Sequence, residues 1–448
     1  MEKKIYIETY GCQMNFSDSE IVASIITEKN YTSADKAEDA DIIFLNTCSI
    51  RENAEQKVFN RLKQLQHLRK SKPGLVLGVL GCMAERLKTS LLEEEEMGMR
   101  VDMVVGPDSY RDLPQLLLDV ESGQKAVNVI LSSEETYADI TPVRYASNGV
   151  SAFISIMRGC ENFCTYCVVP FTRGKERSRK PESIINEARD LFGQGYREIT
   201  LLGQNVNSYH WKNGESDAAW SFPALMEAVA SIDPALRIRF ATSHPKDMSV
   251  ELLQVIASYN NICKAIHLPA QSGSSSVLKN MNRKYTRQEY LSRILAIRSI
   301  VPECAVSTDI IAGFCGETQD DHLQTLSLMR EVGFDFAYMF KYSERPGTLA
   351  AKKLEDDVPE EVKSQRLQEV IDLQNELSLK SNQADVGKVF EVLVERTSKK
   401  SEKRVTGRNS QNKVVVFDNN TGLKPGDYAM VRITGCSSAT LQGERTEE

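Results

Sequence analysis

The chain has 448 residues, of which 41% are hydrophobic and 26% are charged, and its formal net charge is -7 at pH 7. This composition excludes a disordered or fibrous chain, and the length suffices for about three domains. The negative charge excludes a generally basic nucleic-acid-binding coat, so a nucleic-acid-binding surface would have to be a local patch. Since no apolar run of about 18 residues and no apolar signal core occur, we expect a cytoplasmic protein without a membrane anchor.

The chain contains ten cysteines and five histidines. Cysteines stay reduced in the cytoplasm, so clustered cysteines indicate metal ligands or catalytic thiols rather than disulfides. The histidines are scattered singly, and no pair of them has the spacing of a zinc site.

Apolar strands alternate with polar helices in the first third of the chain, assigned to residues 1–122. The predicted strands are "KIYIETYGC", "DIIFLNTCSI", "GLVLGVLGC" and "DMVVGP", and the first predicted helix, "SDSEIVASIITEKN", opens at Ser17. This pattern predicts an α/β fold with a doubly wound parallel sheet. Cys12, Cys48 and Cys82 come at C-terminal strand ends, where such sheets bind ligands, so we expect them to converge at one rim. The alternative is three independently buried cysteines.

A polar linker is predicted at residues 123–145, and strands alternate with helices again over residues 146–376. The six strands "AFISIMRG", "REITLLGQ", "LRIRFATS", "KAIHLPAQ", "AVSTDIIAG" and "FAYMFKYS" predict a central partial (β/α)6 barrel. The loops after these strands are rich in Gly, Ser and Pro, which suits close approach to a ligand. We expect Ser243 and Gln271, in "ATSHP" and "LPAQSGS", to contact a cofactor there.

The last part of the chain changes character after a long charged helix. Over residues 379–442, short β runs separated by Gly, Pro and Asn predict a small C-terminal β-barrel. Residues 396–413 carry seven Lys or Arg and one acidic residue. This basic run predicts a phosphate-binding face, and the alternative is a solvated hairpin.

Three cysteines, Cys160, Cys164 and Cys167, lie close together in "RGCENFCTYC". A structural zinc site needs four ligands, and a catalytic zinc normally takes histidine or carboxylate ligands, which are not placed nearby. Three thiolates on one short loop instead suit three irons of a [4Fe–4S] cluster, with the fourth iron open to substrate or cofactor.

At this motif the chain resembles the radical S-adenosylmethionine enzymes, whose C-x3-C-x-aromatic-C signature it matches with Tyr166 as the aromatic residue. The resemblance implies that the open iron chelates the amino and carboxylate groups of S-adenosylmethionine. It also implies that an electron from the cluster splits this cofactor to a 5'-deoxyadenosyl radical.

Two further loops are similar to that family. In "LLGQN", Gly203 and Gln204 stand where the family usually has a Gly-Gly-Glu-like turn that holds the methionine amino group, so the second residue departs from Glu. In "STDIIAGFCGET", the resemblance implies that Ile310 packs on adenine, that Gly313 allows its approach and that Glu317 is a structural cap.

Over nearly its whole length the chain resembles the methylthiotransferases among these enzymes. The resemblance implies a TRAM domain as the C-terminal barrel, and it implies that Cys12, Cys48 and Cys82 hold an auxiliary [4Fe–4S] cluster. "GCQMNFSDSE", "NTCSIRENAEQK" and "GCMAER" are most similar to the branch that acts on N(6)-isopentenyladenosine next to the tRNA anticodon. Two clusters and two uses of S-adenosylmethionine follow: methylation of the sulfur to be donated, and abstraction of hydrogen from carbon 2 of the adenine.

The resemblance implies tRNA, through its anticodon stem-loop, as a partner, with a reducing electron-donor protein and iron–sulfur assembly or sulfur-supply proteins. Two basic segments are expected to contact the RNA. Their residues are Arg173, Lys175, Arg177, Arg396, Lys399, Lys400, Lys403, Arg404 and Arg408. Two alternatives stay open. One is the same chemistry on threonylcarbamoyladenosine in tRNA or on a ribosomal-protein aspartate, and the other is a non-catalytic metal-containing RNA-binding protein.

Overall fold

The chain forms two compact units in a computed structural model. The first comprises residues 1–146, 157–163 and 167–183, and the second comprises residues 147–156, 164–166 and 184–448. The domain boundaries expected from the sequence stay predictions. The structure describes residues 3–29, 31–49, 52–93, 99–144, 148–212, 219–398, 401–420 and 422–446.

A six-stranded sheet forms the centre of the first unit. Its strands are β1 Lys4–Thr9, β2 Thr32–Ser33, β3 Ile42–Thr47, β4 Val76–Gly81, β5 Met103–Val105 and β6 Ala126–Asn128. The strands pair in parallel in the order β2-β1-β3-β4-β5-β6, which confirms the predicted parallel sheet. The helices are α1 Gln13–Thr27, α2 Glu52–Ser71, α3 Cys82–Leu87, α4 Ser90–Glu93 and α5 Leu113–Glu121, with short 3-10 helices at Ala37–Asp39 and Tyr110–Asp112.

Helices cover both faces of this sheet. Phe44 of β3 packs into a cluster with Ile21 of α1, whereas its neighbour Leu45 packs into a second cluster with Leu62 of α2. Successive side chains of a strand point to opposite faces, so these two clusters lie on opposite sides of the sheet. The sheet is therefore doubly wound, as predicted.

The first helix begins earlier than the sequence pattern indicated. Helix α1 starts at Gln13, and Cys12 is its N-cap with an extended backbone (φ -96, ψ 170), so the predicted start at Ser17 was wrong. The polar run that resembled a helix start instead lies inside the helix, where Ser17 and Asp18 are buried. Asp18 is therefore a buried carboxylate rather than an exposed helix-start residue.

The central part of the chain contains the elements of a partial barrel. Its strands are β7 Ser151–Ser155, β8 Met157–Arg158, β9 Arg177–Ser178, β10 Glu198–Leu202, β11 His210–Lys212, β12 Ala219–Ser221, β13 Arg237–Phe240, β14 Ala265–His267, β15 Ala305–Ala312 and β16 Phe336–Lys341. Its helices are α6 Val169–Thr172, α7 Pro181–Gly193, α8 Phe222–Ala230, α9 Val250–Ser258, α10 Ser275–Asn280, α11 Arg287–Ile300, α12 Gln319–Val332, α13 Leu349–Lys353 and α14 Glu360–Gln383, with 3-10 helices at Val206–Ser208 and Pro245–Asp247.

Six of these strands are parallel. They pair in the orders β13-β10-β7 and β14-β15-β16, and a parallel bridge between Ile238 and Ile262 joins the two groups. This arrangement confirms the predicted partial (β/α)6 barrel. The short strands β8 and β9 pair with each other in the first unit, through Met157 with Ser178 and Arg158 with Arg177.

A closed five-stranded barrel ends the second unit, as predicted, with the order β17-β18-β19-β21-β20. Arg237 and Arg239, both buried on β13, attach it to the central barrel. Arg237 donates to the carbonyl oxygen of Arg408 at 2.7 Å, and Arg239 donates to that of Asn409 at 2.9 Å. The strands are β17 Val389–Ser398, β18 Ser401–Asn409, β19 Val414–Asp418, β20 Tyr428–Cys436 and β21 Leu441–Arg445.

Within the described ranges, none of the helices combines the length and apolar character that crossing a membrane requires.

Candidate functional site

The first unit places three cysteines directly after neighbouring parallel strands. Cys12 follows β1 by three residues, Cys48 follows β3 directly and Cys82 follows β4 directly. Cys48 and Cys82 are 2% and 3% exposed. A hydrogen bond from Cys48, together with the nearby Arg173 charge, lowers the pKa of Cys12 to about 6 although burial opposes this shift. Burial raises the pKa of Cys82, and the Cys12 thiolate adds to that shift. The three thiols therefore share one rim of the sheet.

Glycine is required at the turn that brings two of these cysteines together. Gly11 has φ +118, a backbone conformation that residues with a side chain rarely adopt. A Cβ atom at Gly11 would lie 2.2 Å from the Cβ atom of Cys48. The close approach of the Cys12 loop to Cys48 thus depends on the absence of a side chain at Gly11.

A buried arginine lies against this thiol group. Arg173 Nε donates to Cys82 Sγ at 3.3 Å, and Arg173 Nη2 donates to Asp18 Oδ2 at 2.8 Å and to Asn15 Oδ1 at 3.3 Å. Arg173 is 3% exposed, and Asp18 is fully buried. Burial disfavours the charged forms of both side chains. The charges of Arg158 and Arg173 nevertheless lower the pKa of Asp18, and Asp18 and the thiols raise the pKa of Arg173. Sequence reasoning missed Asp18, because a polar run at a helix start is ordinarily exposed.

The expected RNA contacts of Arg173 and Arg177 need correction. Both side chains are buried in the first unit, where Arg177 Nη2 donates to both carboxylate oxygens of Asp108 at 2.9 Å. A buried, ion-paired guanidinium has no exposed face for an RNA phosphate, so the structure contradicts RNA contacts by these two arginines. Lys175, between them in sequence, is exposed and stays a predicted contact.

The chemistry of this rim suits an iron–sulfur cluster. Within the described residues, no group of three His, Cys, Asp or Glu side chains is arranged to hold one metal ion. A [4Fe–4S] cluster binds each thiolate to a different iron, so its ligands lie farther apart than those of one ion. A group of thiols with a guanidinium hydrogen-bonded to one of its sulfur atoms fits an anionic cluster. Cys12, Cys48 and Cys82 could therefore hold it.

The cysteines of the second set have well-defined local partners. In the first unit, the backbone N–H of Cys160 donates to the carbonyl oxygen of Gly174 at 3.1 Å, and Asn162 Nδ2 donates to Cys160 Sγ at 3.4 Å. In the second unit, Arg283 Nη1 donates to the buried Cys164 Sγ at 3.2 Å. Cys167 is half-buried in the first unit. The joint ligation of one cluster by these three cysteines stays a prediction.

Buried polar atoms without partners collect in the loops after β10 and β13. Buried polar atoms are nearly always hydrogen-bonded, so a group of orphaned ones indicates a missing polar ligand. The sequence predicted ligand contacts for Gln204 and Ser243, and this observation fits them, but the sequence did not single out the other three residues. Among the described residues, the atoms in these loops without a partner are Gln204 Oε1, Asn205 Oδ1, Asn207 Oδ1, Ser243 Oγ and His244 Nε2. A polar, amino-acid-bearing cofactor such as S-adenosylmethionine fits this lining.

His244 is the most constrained of these residues. Its Nδ1 accepts a hydrogen bond from the backbone N–H of Lys246 at 3.2 Å, which assigns the ring proton to Nε2. Burial, with the charges of Arg283 and Lys246, lowers the pKa of His244 to about 2. The ring also stands edge-on to Tyr285 at a centroid distance of 5.5 Å. His244 is therefore a neutral, buried N–H donor throughout the physiological pH range.

The remaining predicted cofactor contacts lie on the barrel strands and their loops. Gln271 has φ +68 and pairs through its backbone with Ile310, which is fully buried. The N–H of Gly313 donates to Glu317 Oε1 at 2.9 Å, as expected for a structural cap. Tyr166 is half-buried and meets Phe314 edge-on. Contacts from these residues and from the buried Gly203 to S-adenosylmethionine stay predictions.

The basic run of the C-terminal barrel is less available than its composition suggested. Arg404 pairs with Asp418 at 2.7 Å, and Arg408 lies 3.5 Å from Glu395. Lys413 is mostly buried in an ion pair with Asp385 at 2.6 Å. Among the described residues of the run, the exposed basic ones are Arg396, Lys403 and Arg404, and the predicted contacts Lys399 and Lys400 lie outside the described residues.

Three families match consecutive parts of the chain. Residues 4–106 match the family described as "Uncharacterized protein family UPF0004". Residues 154–329 match the radical SAM superfamily, and residues 383–445 match the TRAM domain. The first match covers five of the six strands of the parallel sheet, the second covers most of the central barrel, and the third covers the closed barrel.

Solved structures share the fold of most of the chain. TsrM from Kitasatospora setae, a radical S-adenosylmethionine methyltransferase, has a TM-score of 0.59 at 12% identity and covers 78% of this chain and 75% of its own. The cobalamin-dependent radical enzyme OxsB has a TM-score of 0.54 at 12% identity, over 83% of this chain and 56% of its own. At such low identity these structures support the fold alone.

Curated relatives match the whole chain. A protein named tRNA-2-methylthio-N(6)-dimethylallyladenosine synthase from Parabacteroides distasonis is 58% identical over 100% of this chain and 96% of its own length. Proteins of the same name from Bacteroides fragilis and Porphyromonas gingivalis are 58% and 56% identical, over 99% and 100% of this chain and 95% and 96% of their own lengths. With this identity along its full length, the chain belongs to the tRNA-2-methylthio-N(6)-dimethylallyladenosine synthase family of radical S-adenosylmethionine enzymes.

Proposed function

We propose that this protein methylthiolates carbon 2 of N(6)-isopentenyladenosine next to the tRNA anticodon, giving 2-methylthio-N(6)-isopentenyladenosine. Full-length identity of 58% to synthases of that name carries the proposal. The thiol group of Cys12, Cys48 and Cys82 around Arg173 supports it, because a sulfur-inserting enzyme needs a thiolate site besides its radical-generating motif.

The cofactors are two [4Fe–4S] clusters and S-adenosylmethionine. Cys12, Cys48 and Cys82 would hold the auxiliary cluster, and the second set of three cysteines, in "RGCENFCTYC", would hold the other. When bound, these groups supply the electron, the methyl group, the sulfur and the hydrogen-abstracting radical that the reaction requires.

The protein's own residues position these groups and exclude water. The burial of Cys48 and Cys82 keeps water away from the sulfur to be transferred. Gln204, Ser243 and His244 present buried polar atoms that would orient a polar cofactor at the barrel loops. Because His244 stays neutral, it would donate a hydrogen bond without adding a charge.

The partner that carries the substrate is tRNA. The TRAM domain and Lys175 supply exposed basic residues for its phosphates. A reducing protein must deliver the electron, and iron–sulfur assembly or sulfur-supply proteins must replace the donated sulfur. Since the substrate is tRNA, we place the reaction in the cytoplasm.

Nucleoside mass spectrometry of tRNA tests the proposal directly. A host that lacks this protein should contain N(6)-isopentenyladenosine without its 2-methylthio form, and the wild-type chain should restore that form. Cys48→Ala should fail to restore it, whereas Cys304→Ala, which removes an equally buried thiol outside both cysteine sets, should succeed.

Three other outcomes would overturn the proposal. An unchanged 2-methylthio-isopentenyladenosine signal in the deletion host would refute the substrate. A change confined to threonylcarbamoyladenosine derivatives, or to a ribosomal-protein aspartate, would identify the alternative substrate. Zinc in place of iron, without a thiolate-to-iron absorption band, would indicate the non-catalytic alternative.

A further inference from the structure

Three arginines and two aspartates form a buried charge network in the first unit. Arg158 Nη1 donates to Asp18 Oδ1 at 2.8 Å, and its Nε lies 3.6 Å from Asp108 Oδ1. Asp18 also accepts from Arg173, and Asp108 also accepts from Arg177. None of the five side chains is more than 9% exposed. The function proposed above assigns no role to this network.

The network carries an unbalanced charge. Three guanidinium groups face two carboxylates, which leaves one surplus positive charge. Arg158 touches both carboxylates and Arg177 holds Asp108 with a two-oxygen contact, so Arg173 is the arginine that must share its only carboxylate. A buried charge without a partner is costly. Glu85, another buried acid of this unit, has Lys88 at 4.0 Å, and its buried Oε2 accepts no hydrogen bond from the network.

The surplus charge lies beside the cysteines. Arg173 Nε donates to Cys82 Sγ. The buried Nη1 atom of Arg173 has no hydrogen-bond partner among the described residues. A cluster core with two positive charges and three thiolate ligands has a net charge of minus one. Such a cluster would cancel the surplus of the network.

We propose that Arg173 is a positioning residue of the auxiliary cluster, whose charge offsets that of the bound cluster and whose orientation is set by Asp18. This inference rests on the proposed function for the presence of that cluster. Arg173 follows the cysteine motif "RGCENFCTYC" in the sequence, but its side chain contacts Cys82 of the auxiliary site. Net charge and hydrogen bonds to sulfur both tune the reduction potential of a cluster.

The experiment isolates the auxiliary cluster in the full-length chain. Alanine at Cys160, Cys164 and Cys167 leaves the cysteines of the auxiliary site as the only predicted cluster ligands, and about four irons per chain are expected. In this parent, Arg173→Gln should shift the cluster's reduction potential to a more negative value and weaken iron retention against a chelator about tenfold, since a charge-assisted hydrogen bond is lost. Arg173→Lys should keep the potential near that of the parent, because the charge remains.

Two further variants separate charge from folding. Asp18→Asn removes a negative charge from the network and should shift the potential in the positive direction, opposite to Arg173→Gln. Arg177→Gln replaces an arginine that is also buried but whose hydrogen bonds go to no cysteine, so it should shift the potential far less than Arg173→Gln. Loss of stability alone cannot produce shifts of opposite sign.

Each result has a definite reading. Absence of iron in the parent would refute the auxiliary cluster and thus the proposed function. Iron in the parent with the same potential and retention in Arg173→Gln would overturn the role of Arg173 while leaving the function intact. Equal loss of iron in the Gln variants of Arg173 and Arg177 would also overturn it, because the network would then be merely structural.

Discussion

Replacing Gly11 with alanine should disrupt the auxiliary cysteine site. The φ of +118 costs a residue with a side chain about 1–3 kcal/mol. The new Cβ would stand 2.2 Å from Cys48 Cβ, and relieving such an overlap in a packed interior costs about 1–3 kcal/mol more. Even the lower sum, about 2 kcal/mol, corresponds to a roughly 30-fold change in an equilibrium constant.

Two other glycines of the same unit are matched controls. Gly123 has φ +91 but no atom within 4 Å of an added Cβ, so Gly123→Ala tests backbone strain alone. Gly74 has neither a positive φ nor a close neighbour, so Gly74→Ala should be close to neutral. Amide hydrogen exchange of peptides from β1 and β3 reports the free energy of local opening for each variant.

The expected order of lost protection is Gly11→Ala first, Gly123→Ala second and Gly74→Ala last. Iron bound by the auxiliary cysteines should fall only in Gly11→Ala, because only that change moves Cys48. Protection and iron equal to those of Gly74→Ala would refute the reasoning, since the loop could then approach Cys48 with a side chain present.

Three more predictions concern the two cysteine sets, His244 and the TRAM domain. Alanine at Cys160, Cys164 or Cys167 should abolish the formation of 5'-deoxyadenosine. Alanine at Cys12, Cys48 or Cys82 should stop methylthiolation but leave cleavage of S-adenosylmethionine measurable. The folded chain holds the pKa of His244 at about 2, against about 6.5 when unfolded, so the unfolded chain binds the extra proton and stability falls as pH drops below about 6.5. The thermal midpoint of His244→Asn should therefore fall less steeply than that of the wild type between pH values of about 6.5 and 4.5. The variant should also bind S-adenosylmethionine more weakly in equilibrium dialysis. A midpoint that falls with pH as steeply as in the wild type would contradict this burial effect. Arg396→Ala should reduce the salt dependence of tRNA binding by about one counterion, whereas Lys413→Ala, which removes an ion-paired lysine, should lower stability without that change.

The sequence was sufficient for the architecture, because periodicity is a local property. Near-continuous apolar strands predicted the parallel sheet and the six-stranded barrel, and short β runs predicted the closed barrel; all three are confirmed. The cysteines were also recognisable, since their spacing and their position after strands depend on few neighbouring residues. The start of α1 was less accessible, because the cap at Cys12 depends on the Gly11 turn.

Only the tertiary structure decided what the charged residues do. Arg173 and Arg177 resembled solvent-exposed RNA contacts in "RGKERSRK", yet they are buried against Asp18 and Asp108. Arg173 and Asp18 are 155 residues apart in the chain, and no local pattern relates them. The local sequence around a basic residue does not show whether its side chain contacts solvent, a phosphate or a buried carboxylate. The role of such a residue depends on which distant groups the fold brings within hydrogen-bonding distance. Here the fold places Arg173 beside Cys82 of the auxiliary site.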